Sequence, residues 1–236
     1  MSKHTEQDYS TISQAYEKKY DEGYGLEYPD GHVIRFYQRV LKYEFNISKG
    51  NILDFGCGTG THLKFFQRHG FTPFGVDIIA EAIEKTKLLL PEFKDNFHVT
   101  PYMPNLKDYF SESFDIIFSN QTLYYFNDRD IKNICGQFLD LLKPGGIFFA
   151  TMVSPLSGYY KIVESTSGDM SKVVLNGRLN ETTFLNFKTS EEVLDVFKDF
   201  KRTHFGSYDF VLTEDPVSID ISYGRGHHYM FVGRKE

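Results

Sequence analysis

The stretch that decides the fold is a nine-residue segment that reads Ile52-Leu53-Asp54-Phe55-Gly56-Cys57-Gly58-Thr59-Gly60. Its first four residues are apolar and β-favouring except for one acid, which predicts a buried strand. Glycines then occupy every second position, and a predicted helix over 61–69 ends at Gly70. A strand, a glycine turn and a helix form a nucleotide-binding arrangement, because glycines admit a ligand close to the main chain and the N–H groups at the helix start favour polar or anionic groups.

The spacing of these glycines separates the turn from two other nucleotide-binding turns. The dinucleotide fingerprint G-x-G-x-x-G requires a glycine where this chain has Thr61, and the Gly-Lys-Ser/Thr of a P-loop does not follow. The pattern is D-x-G-x-G-x-G instead. The segment DFGCGTG (54–60) resembles the first motif of class I S-adenosylmethionine-dependent methyltransferases. Two further segments are similar to that family: SFDIIFSN (113–120) to its fourth motif, and LLKPGG (141–146), which precedes the predicted fifth strand.

Composition and charge limit the classes of function that the chain can have. Its 236 residues can hold one large α/β domain or two small ones, and 41% hydrophobic residues are enough for a core. A net charge of −6 argues against a nucleic-acid partner. No apolar run approaches membrane-spanning length and residues 1–14 are polar, so we expect neither a membrane partner nor a signal peptide. Two cysteines, Cys57 and Cys135, fit a reducing cytoplasm, the expected location.

Predicted strands and helices alternate over residues 51–153. This order predicts a parallel sheet with helices on both faces. The strands are predicted at 52–55, 71–77, 96–101, 113–120 and 147–153, and the helices at 61–69, 79–90 and 128–142. The resemblance implies a terminal antiparallel hairpin, which the predicted strands 202–212 and 227–232 would form. The expected fold is therefore α/β: a doubly wound, mostly parallel seven-stranded sheet with an antiparallel last strand, Rossmann-like, plus an N-terminal helical cap.

We interpret residues 1–236 as a single domain. Predicted helices at 6–20 and 32–45 make up the N-terminal helical cap (1–49), which precedes the cofactor-binding core (50–153). An irregular substrate-side insert without a strong period follows (154–188). A capping box, Thr189-Ser190-Glu191-Glu192, then opens the closing helix, and the hairpin completes the last part (189–236).

The resemblance implies a set of residues that hold the methyl donor, S-adenosylmethionine, whose product is S-adenosylhomocysteine. Asp54 would orient the glycine turn or reach the methionine amino group. Asp77 ends the second strand, where an acid can accept both ribose hydroxyls; the alternative is that it caps the next helix. Cys57 is either a small residue that fits the turn or a reactive thiol. The other predicted donor-side residues at the first two strands are Gly56, Gly58, Gly60 and Ile78.

The loop after the third strand holds the adenine in the family. Its usual polar side chain matches best at Asn105, in a register that could shift by two residues, beside Pro104. Met103 or Leu106 would lie on the ring face; the alternative is an ordinary surface loop. The end of the fourth strand would bring Asn120, Gln121 and Tyr125 beside the sulfonium.

The acceptor side is suggested by aromatic and basic residues. Tyrosines recur every four positions at Tyr16, Tyr20, Tyr24 and Tyr28, which is either one helix face or, given Gly23 and Gly25, a loop over the cofactor in which Tyr24 and Tyr28 contact the acceptor. His227 and His228 start the last strand, so one of them faces inward; we expect no metal. We predict as catalytic Tyr28, Tyr125 and His228. The predicted substrate-binding residues are Tyr24, Arg35, Arg178, Arg225 and His227, with the arginines serving a phosphate.

The expected function is methyl transfer to a small polar metabolite. The acceptor is a hydroxyl of a sugar or sugar nucleotide, or the nitrogen of a small amine with or without a phosphate. Gln121 and Tyr125 stand where phosphoethanolamine methyltransferases have an Asp and a His, and the N/D-P-P-Y/F tetrad of base and glutamine methyltransferases is missing. Two alternatives stay open: a non-catalytic S-adenosylmethionine-binding regulator, and an aminopropyltransferase, although Asn120-Gln121 is not its paired acidic signature. The oligomeric state is open.

Overall fold

A computed structural model describes residues 27–175, 181–209 and 226–236, so the predicted helix 6–20 lies outside the described residues. The described strands, in chain order, are β1 (Gly50–Phe55), β2 (Phe71–Asp77), β3 (Phe97–Val99), β4 (Phe114–Ser119), β5 (Leu142–Val153), β6 (Val163–Ser167), β7 (Met170–Leu175), β8 (Glu181–Leu185), β9 (Lys201–Tyr208) and β10 (His228–Arg234). The described helices are α1 (Gly31–Arg35), α2 (Thr61–Arg68), α3 (Ala80–Leu89), α4 (Asp128–Leu141) and α5 (Ser190–Val196).

The main sheet has seven strands in the order β3-β2-β1-β4-β5-β10-β9. Strand β1 pairs in parallel with β2 and β4, and β10 runs antiparallel to both β5 and β9. This confirms the predicted fold class. Because β1, β2 and β4 are parallel, their carboxyl ends lie at the same edge of the sheet, and we call this edge the rim. Ligands of such sheets bind at this edge. None of the described helices has the length and apolar character needed to cross a bilayer.

Two helix starts follow their sequence signals closely. The side chain of Thr189 accepts a hydrogen bond from the main-chain N–H of Glu192, and the Glu192 carboxylate accepts one from the N–H of Thr189. This is the predicted capping box, and it opens α5. Helix α4 begins with Asn127, whose Oδ1 accepts from the N–H of Asp130 at 2.9 Å. Both caps satisfy N–H groups that the first helical turn leaves free.

Phenylalanines fill the core on both faces of the sheet. Phe148 and Phe149 are consecutive in β5 and point to opposite faces, yet both are buried. Phe148 stacks on Phe200 with ring centroids 4.4 Å apart, on the α4 and α5 face. Phe149 stacks on Phe118 at 4.8 Å, on the α1 and α2 face. A parallel sheet that is covered on both sides explains why the strands read as apolar runs without alternation.

The first described helix and the fifth strand depart from their predicted form. The predicted helix 32–45 is observed as α1 and then a π-helical segment, Phe36–Glu44, in which the N–H of Phe45 bonds to the carbonyl of Val40 at 2.9 Å. Strand β5 starts before the predicted residue 147. The turn LKPGG takes part in pairing, because the N–H of Gly145 donates to the carbonyl of Lys235 at 2.9 Å.

The prediction of an irregular insert at 154–188 is wrong. Strands β6, β7 and β8 form a separate three-stranded antiparallel sheet. Alternate residues of β7 face the core, which buries Val173 and Leu175. Gly168, with φ +61°, joins β6 to β7 in the left-handed conformation that tight hairpins require. The sequence signal for this hairpin was the pair Gly168-Asp169.

Buried polar contacts fasten the insert to the loop after β4. Asn186 is fully buried, and its Nδ2 donates to the carbonyl of Phe126 at 3.0 Å and to the carboxylate of Asp128 at 2.7 Å. Lys188, also buried, pairs with Asp128 at 2.7 Å. Because buried polar groups are costly unless they are paired, these contacts hold the end of the insert beside the rim.

We predict that Phe148→Ala destabilises the protein strongly. Phe148 is fully buried against Phe200, Phe197 and Phe138, so truncation leaves a cavity that should lower the free energy of unfolding by about 3–5 kcal/mol. Leu88→Ala is the control, because Leu88 is 81% exposed and its truncation should change that free energy by less than about 0.5 kcal/mol. Urea unfolding measures both values. Equal effects of the two substitutions would contradict the described core.

Candidate active site

The glycine turn after β1 needs glycine for a reason internal to the protein. Gly56 and Gly60 have φ values of +83° and +80°, which other residues rarely adopt. A Cβ at Gly56 would overlap the side chain of Thr122, and one at Gly60 would lie 2.8 Å from Thr86 Cγ2. At these two positions neighbouring side chains therefore require glycine, in addition to the close approach of a ligand that the sequence predicts. Gly58, with φ +53°, lies between them.

The carboxylate of Asp77 joins the ends of β1 and β2. Its Oδ2 accepts from the N–H of Gly58 at 2.8 Å, and its Oδ1 accepts from the N–H of Ile79 at 2.9 Å. Ile79 is the residue before α3, so Asp77 braces the glycine turn rather than capping that helix with its side chain. Burial raises the pKa of Asp77, against the lowering effect of these N–H groups and that of Ile78. Because a carboxylate has about four lone-pair sites, Asp77 can still accept a hydrogen bond from a ligand.

Asp54 lies beneath the turn and is 1% exposed. Among residues 27–175, 181–209 and 226–236, no donor lies within hydrogen-bond distance of either carboxylate oxygen. Burial, and then the nearby charge of Asp77, raise the pKa of Asp54 well above its usual range. The same two causes, in the same order, raise the pKa of the buried Cys57. Cys57 thus stays a thiol at neutral pH and its sulfur fills space 2.9 Å from where a Cβ of Gly75 would lie.

The predicted adenine contacts in the loop after β3 differ in how exposed their side chains are. Asn105 is exposed, and its Nδ2 donates to Asp108 at 2.8 Å. Leu106 and Pro104 are buried, Leu106 as part of the core on the α4 face. Met103 is half-buried and packs against that core, so it is the residue of this group with an apolar side chain still partly open.

At the carboxyl end of β4, a group of polar side chains converges on Asn120. His32 Nε2 lies 2.8 Å from Asn120 Oδ1, and Asn120 Nδ2 donates to Asp30 Oδ2 at 3.2 Å. Asp30 Oδ2 also lies 3.4 Å from Nε2 of His62, in the first turn of α2. We call these four residues, Asp30, His32, His62 and Asn120, the Asn120 cluster. They bring together the start of α1, the start of α2 and the end of β4.

Three rings stack beside this cluster. Tyr208, the last residue of β9, lies between His32 at 3.9 Å and His228 at 5.2 Å, with interplanar angles of 11° and 7°. The side-chain amide of Gln121 donates to the Tyr208 hydroxyl at 3.1 Å. Gln121 has φ +56°, a conformation that is uncommon for residues other than glycine, and its N–H donates to Thr151 Oγ1 at 2.7 Å. We call His32, Tyr208 and His228 the ring stack.

The two histidines at the start of β10 point in different directions. His228 is buried, and its Nδ1 donates to the carbonyl of Gly226 at 2.9 Å. Burial, more than any charge, lowers the pKa of His228 to about 4. His227 Nδ1 lies 2.6 Å from the hydroxyl of Ser154 and is only half-buried. His228 is therefore the inward-facing residue of the pair.

The remaining predicted residues lie further apart. Tyr125 is half-buried, its ring centroid 4.7 Å from that of Tyr124. Tyr28 is 72% exposed. Arg35 is exposed and, with His32, borders a cavity of about 670 Å³ between the π-helical segment and strands β9 and β10. Three of the predicted substrate contacts lie outside the described residues: Tyr24, Arg178 and Arg225.

Several residues of this rim were missed from the sequence, namely Asp30, His32, His62, Thr151 and Tyr208. Two signals were available for them. Asp30 and His32 stand two positions apart at the start of an amphipathic helix, and His62 follows the glycine turn at the start of α2. Tyr208 had no local signal, because only the pairing of β9 with β10 brings it to the rim.

Comparison with known proteins shows which family the chain belongs to. A methyltransferase-domain family model matches residues 27–200. An uncharacterized methyltransferase of Bacillus cytotoxicus is 28% identical over 146 residues, which cover 61% of this chain and 66% of that protein. Phosphoethanolamine N-methyltransferase 3 of Arabidopsis thaliana is 28% identical over 112 residues, which cover 47% of this chain and 23% of that protein.

Solved structures agree on the fold. The 1,6-didemethyltoxoflavin-N1-methyltransferase of Burkholderia thailandensis, solved with its substrate and S-adenosylhomocysteine, superposes with a TM-score of 0.65 at 14% identity and covers 100% of this chain and 91% of its own. A methyltransferase of Methanosarcina mazei gives 0.64 at 15% identity, over 88% of this chain and 98% of its own. Together with the family model, which matches most of the chain, these findings identify it as a class I S-adenosylmethionine-dependent methyltransferase.

Proposed function

We propose that this enzyme transfers the methyl group to an oxygen or nitrogen of a small polar metabolite that binds beside the Asn120 cluster and the ring stack. The observation that carries the proposal is the chemistry of this rim. Asn120 follows β4 and His228 begins β10, and both are buried polar groups at the edge of the sheet where β1 ends in the glycine turn. Polar groups that converge at the carboxyl edge of a parallel sheet are suited to orient a polar ligand.

The donor side fits S-adenosylmethionine. Asp54 is a buried carboxylate for which the described residues offer no donor, and a cationic ammonium group would pair with it. The unused lone pairs of Asp77 suit ribose hydroxyls. Gly56, Gly58, Gly60, Cys57 and Ile78 would surround the same ligand, with Met103, Pro104 and Asn105 near its base and Asn120 and Gln121 near its sulfur. When bound, the donor supplies a methyl group that is attached to a sulfonium. After the transfer, the sulfur is part of a neutral thioether, which is the leaving group.

The acceptor class rests on the residues that remain. His228 is neutral at physiological pH, because its pKa is about 4, and together with Tyr125 and Tyr28 it is a proposed catalytic contact. Arg35, with Arg178 and Arg225, would serve a phosphate, and Tyr24 and His227 would line the same side. The similarity to a phosphoethanolamine N-methyltransferase supports a small amine, and the hydroxyl of a sugar or sugar nucleotide stays the other candidate.

A labelled methyl donor tests this function directly. The protein, with S-adenosylmethionine carrying a deuterated methyl group, is incubated with a fractionated polar metabolite extract, and mass spectrometry finds the labelled product. We expect label in a small polar molecule that carries a hydroxyl or amine. Parallel incubations with DNA, RNA and a protein extract are the controls. Label that appears in these polymers and in no small molecule would contradict the proposed acceptor class.

Asp77→Ala should weaken the binding of S-adenosylhomocysteine by about tenfold or more, since hydrogen bonds to a charged group contribute about 1.5–3 kcal/mol. Because Asp77 also braces the glycine turn, the 2′-deoxy analogue isolates the ribose contact. Calorimetry should show that the wild type binds the analogue more weakly, and that Asp77→Ala no longer distinguishes the two ligands. Asp95→Ala, at an exposed acid, is the control. A variant that still distinguishes them would contradict the ribose role.

Asp54→Asn should stabilise the free protein and weaken donor binding. The raised pKa of Asp54 means that the folded state keeps a proton that the unfolded chain releases. The stability of the wild type therefore falls as pH rises through the range between the unfolded and folded pKa values, and the variant escapes this loss. Urea unfolding at about pH 5 and about pH 8 should show a larger advantage of the variant at the higher pH. An equal difference at both pH values would contradict a buried, destabilised carboxylate.

A further inference from the structure

The contacts within the Asn120 cluster determine which of its nitrogen atoms carry the hydrogen in each hydrogen bond. The pKa of Asp30 is lowered: burial raises it, but the hydrogen bond and charge of His62, the charge of His32 and the amide of Asn120 outweigh that effect. Asp30 is therefore ionised at neutral pH, and an ionised carboxylate only accepts hydrogen bonds. Asn120 must turn its NH₂ group toward Asp30, at 3.2 Å.

This orientation decides the tautomer of His32. With the NH₂ group directed at Asp30, the carbonyl oxygen of Asn120 faces His32 Nε2 at 2.8 Å and the hydroxyl of Thr151 at 3.4 Å. A carbonyl oxygen only accepts, so Nε2 of His32 carries a hydrogen. In the neutral ring the other nitrogen, Nδ1, then holds a lone pair. An amide that orients an imidazole in this way has the arrangement that cysteine proteases use for their histidine.

The surroundings of His32 keep its ring in place and neutral. Tyr208 from β9 covers one ring face at 3.9 Å, and His228 from β10 stacks behind Tyr208. The pKa of His32 is lowered, first by burial, and also by the charge of His62 from α2, although Asn120 and Asp30 act in the opposite direction. A neutral, oriented imidazole at the rim can accept a proton at physiological pH.

The side chain is also reachable. His32 is only half-buried, and it borders the cavity of about 670 Å³ that Arg35 and Met230 also line. A small metabolite would fit a space of this size. Asn120, which holds the ring, directly follows β4 and lies at the rim that the glycine turn shares.

We propose that His32 is the general base of the reaction, and that its Nδ1 takes the proton that the acceptor's hydroxyl or amine loses on methylation. The proposal rests on the proposed function. A lone pair of the acceptor atom forms the bond to the methyl carbon while the carbon–sulfur bond of the donor breaks, and the electron pair of that bond stays on sulfur, which leaves as a neutral thioether. The O–H or N–H bond of the acceptor breaks as well, and its electron pair stays on the acceptor atom. The proton goes to Nδ1, so His32 becomes an imidazolium, and the positive charge leaves the site with the proton when His32 returns it to water.

The other titratable groups of the rim suit this role less well. His228 uses Nδ1 to donate to Gly226, and a pKa of about 4 makes it a weak base. Burial raises the pKa of Tyr208, so its phenol keeps its proton at neutral pH. Asp30 is engaged by both His62 and Asn120. Compared with His228, Tyr208 and Asp30, His32 is the group that combines a free lone pair with a neutral, oriented ring.

The tautomer can be measured without any acceptor. Protein with ¹⁵N-labelled histidine is studied by long-range ¹H–¹⁵N correlation at neutral pH, with His32→Gln to assign the signal. We expect the pattern of a neutral ring protonated on Nε2 in the wild type, and loss of this single tautomer in Asn120→Ala. A ring protonated on Nδ1, or a charged ring at neutral pH, would overturn the proposal.

Activity then tests the role. His32→Gln should bind S-adenosylhomocysteine like the wild type in calorimetry but transfer label to the metabolite extract about 100-fold more slowly or worse. The wild-type rate should fall with decreasing pH through the pKa that NMR assigns to His32. His69→Gln is the matched control, since burial also lowers the pKa of His69, at the far end of α2. Unchanged transfer by His32→Gln would refute the role of His32, whereas a wild type that labels nothing would refute the proposed function instead.

Discussion

The two hydrogen bonds that Asp77 accepts from the main-chain N–H groups of Gly58 and Ile79 hold the rim together. They join the turn after β1 to the residues that follow β2, and so hold the two strand ends of the proposed donor side together. Beneath the turn, Asp54 is buried close to the charge of Asp77, and both effects make ionisation of Asp54 unfavourable. The proposed pairing of Asp54 with the cationic group of the donor would account for a buried carboxylate beside a second acid.

The side that we propose for the acceptor is built in a different way. Its polar groups come from the starts of α1, α2 and β10 and from the ends of β4 and β9. They meet through contacts such as the bond between His32 and Asn120, 88 residues apart in sequence. The aromatic core supports this arrangement, because buried phenylalanines pack against both faces of the sheet that carries these residues. A rigid frame lets a few side chains set the orientation of a small acceptor.

Local patterns were enough to predict the fold, the glycine turn and the capping box at Thr189, since each depends on residues close together in sequence. The hairpin around Gly168 also had a local signal, and it was overlooked. The Asn120 cluster is different, because a histidine such as His32 gains its meaning only from the partners that the folded sheet brings to it. Gly56 and Gly60 are a similar case. The sequence predicts a glycine turn, but the side chains that leave no room for a Cβ there, those of Thr122 and Thr86, are known only from the folded structure.

The antiparallel direction of β10 has a consequence for how such enzymes can diverge. Because β10 runs against β5, its first residue, His228, lies at the rim where the parallel strands end, and Tyr208 at the end of β9 pairs with it. The chain therefore leaves and re-enters the sheet at the part of the rim where we propose that the acceptor binds, on the far side of β4 from Asp54 and Asp77. We expect insertions or exchanges between Tyr208 and His228 to alter the proposed acceptor contacts and to leave the donor half unchanged.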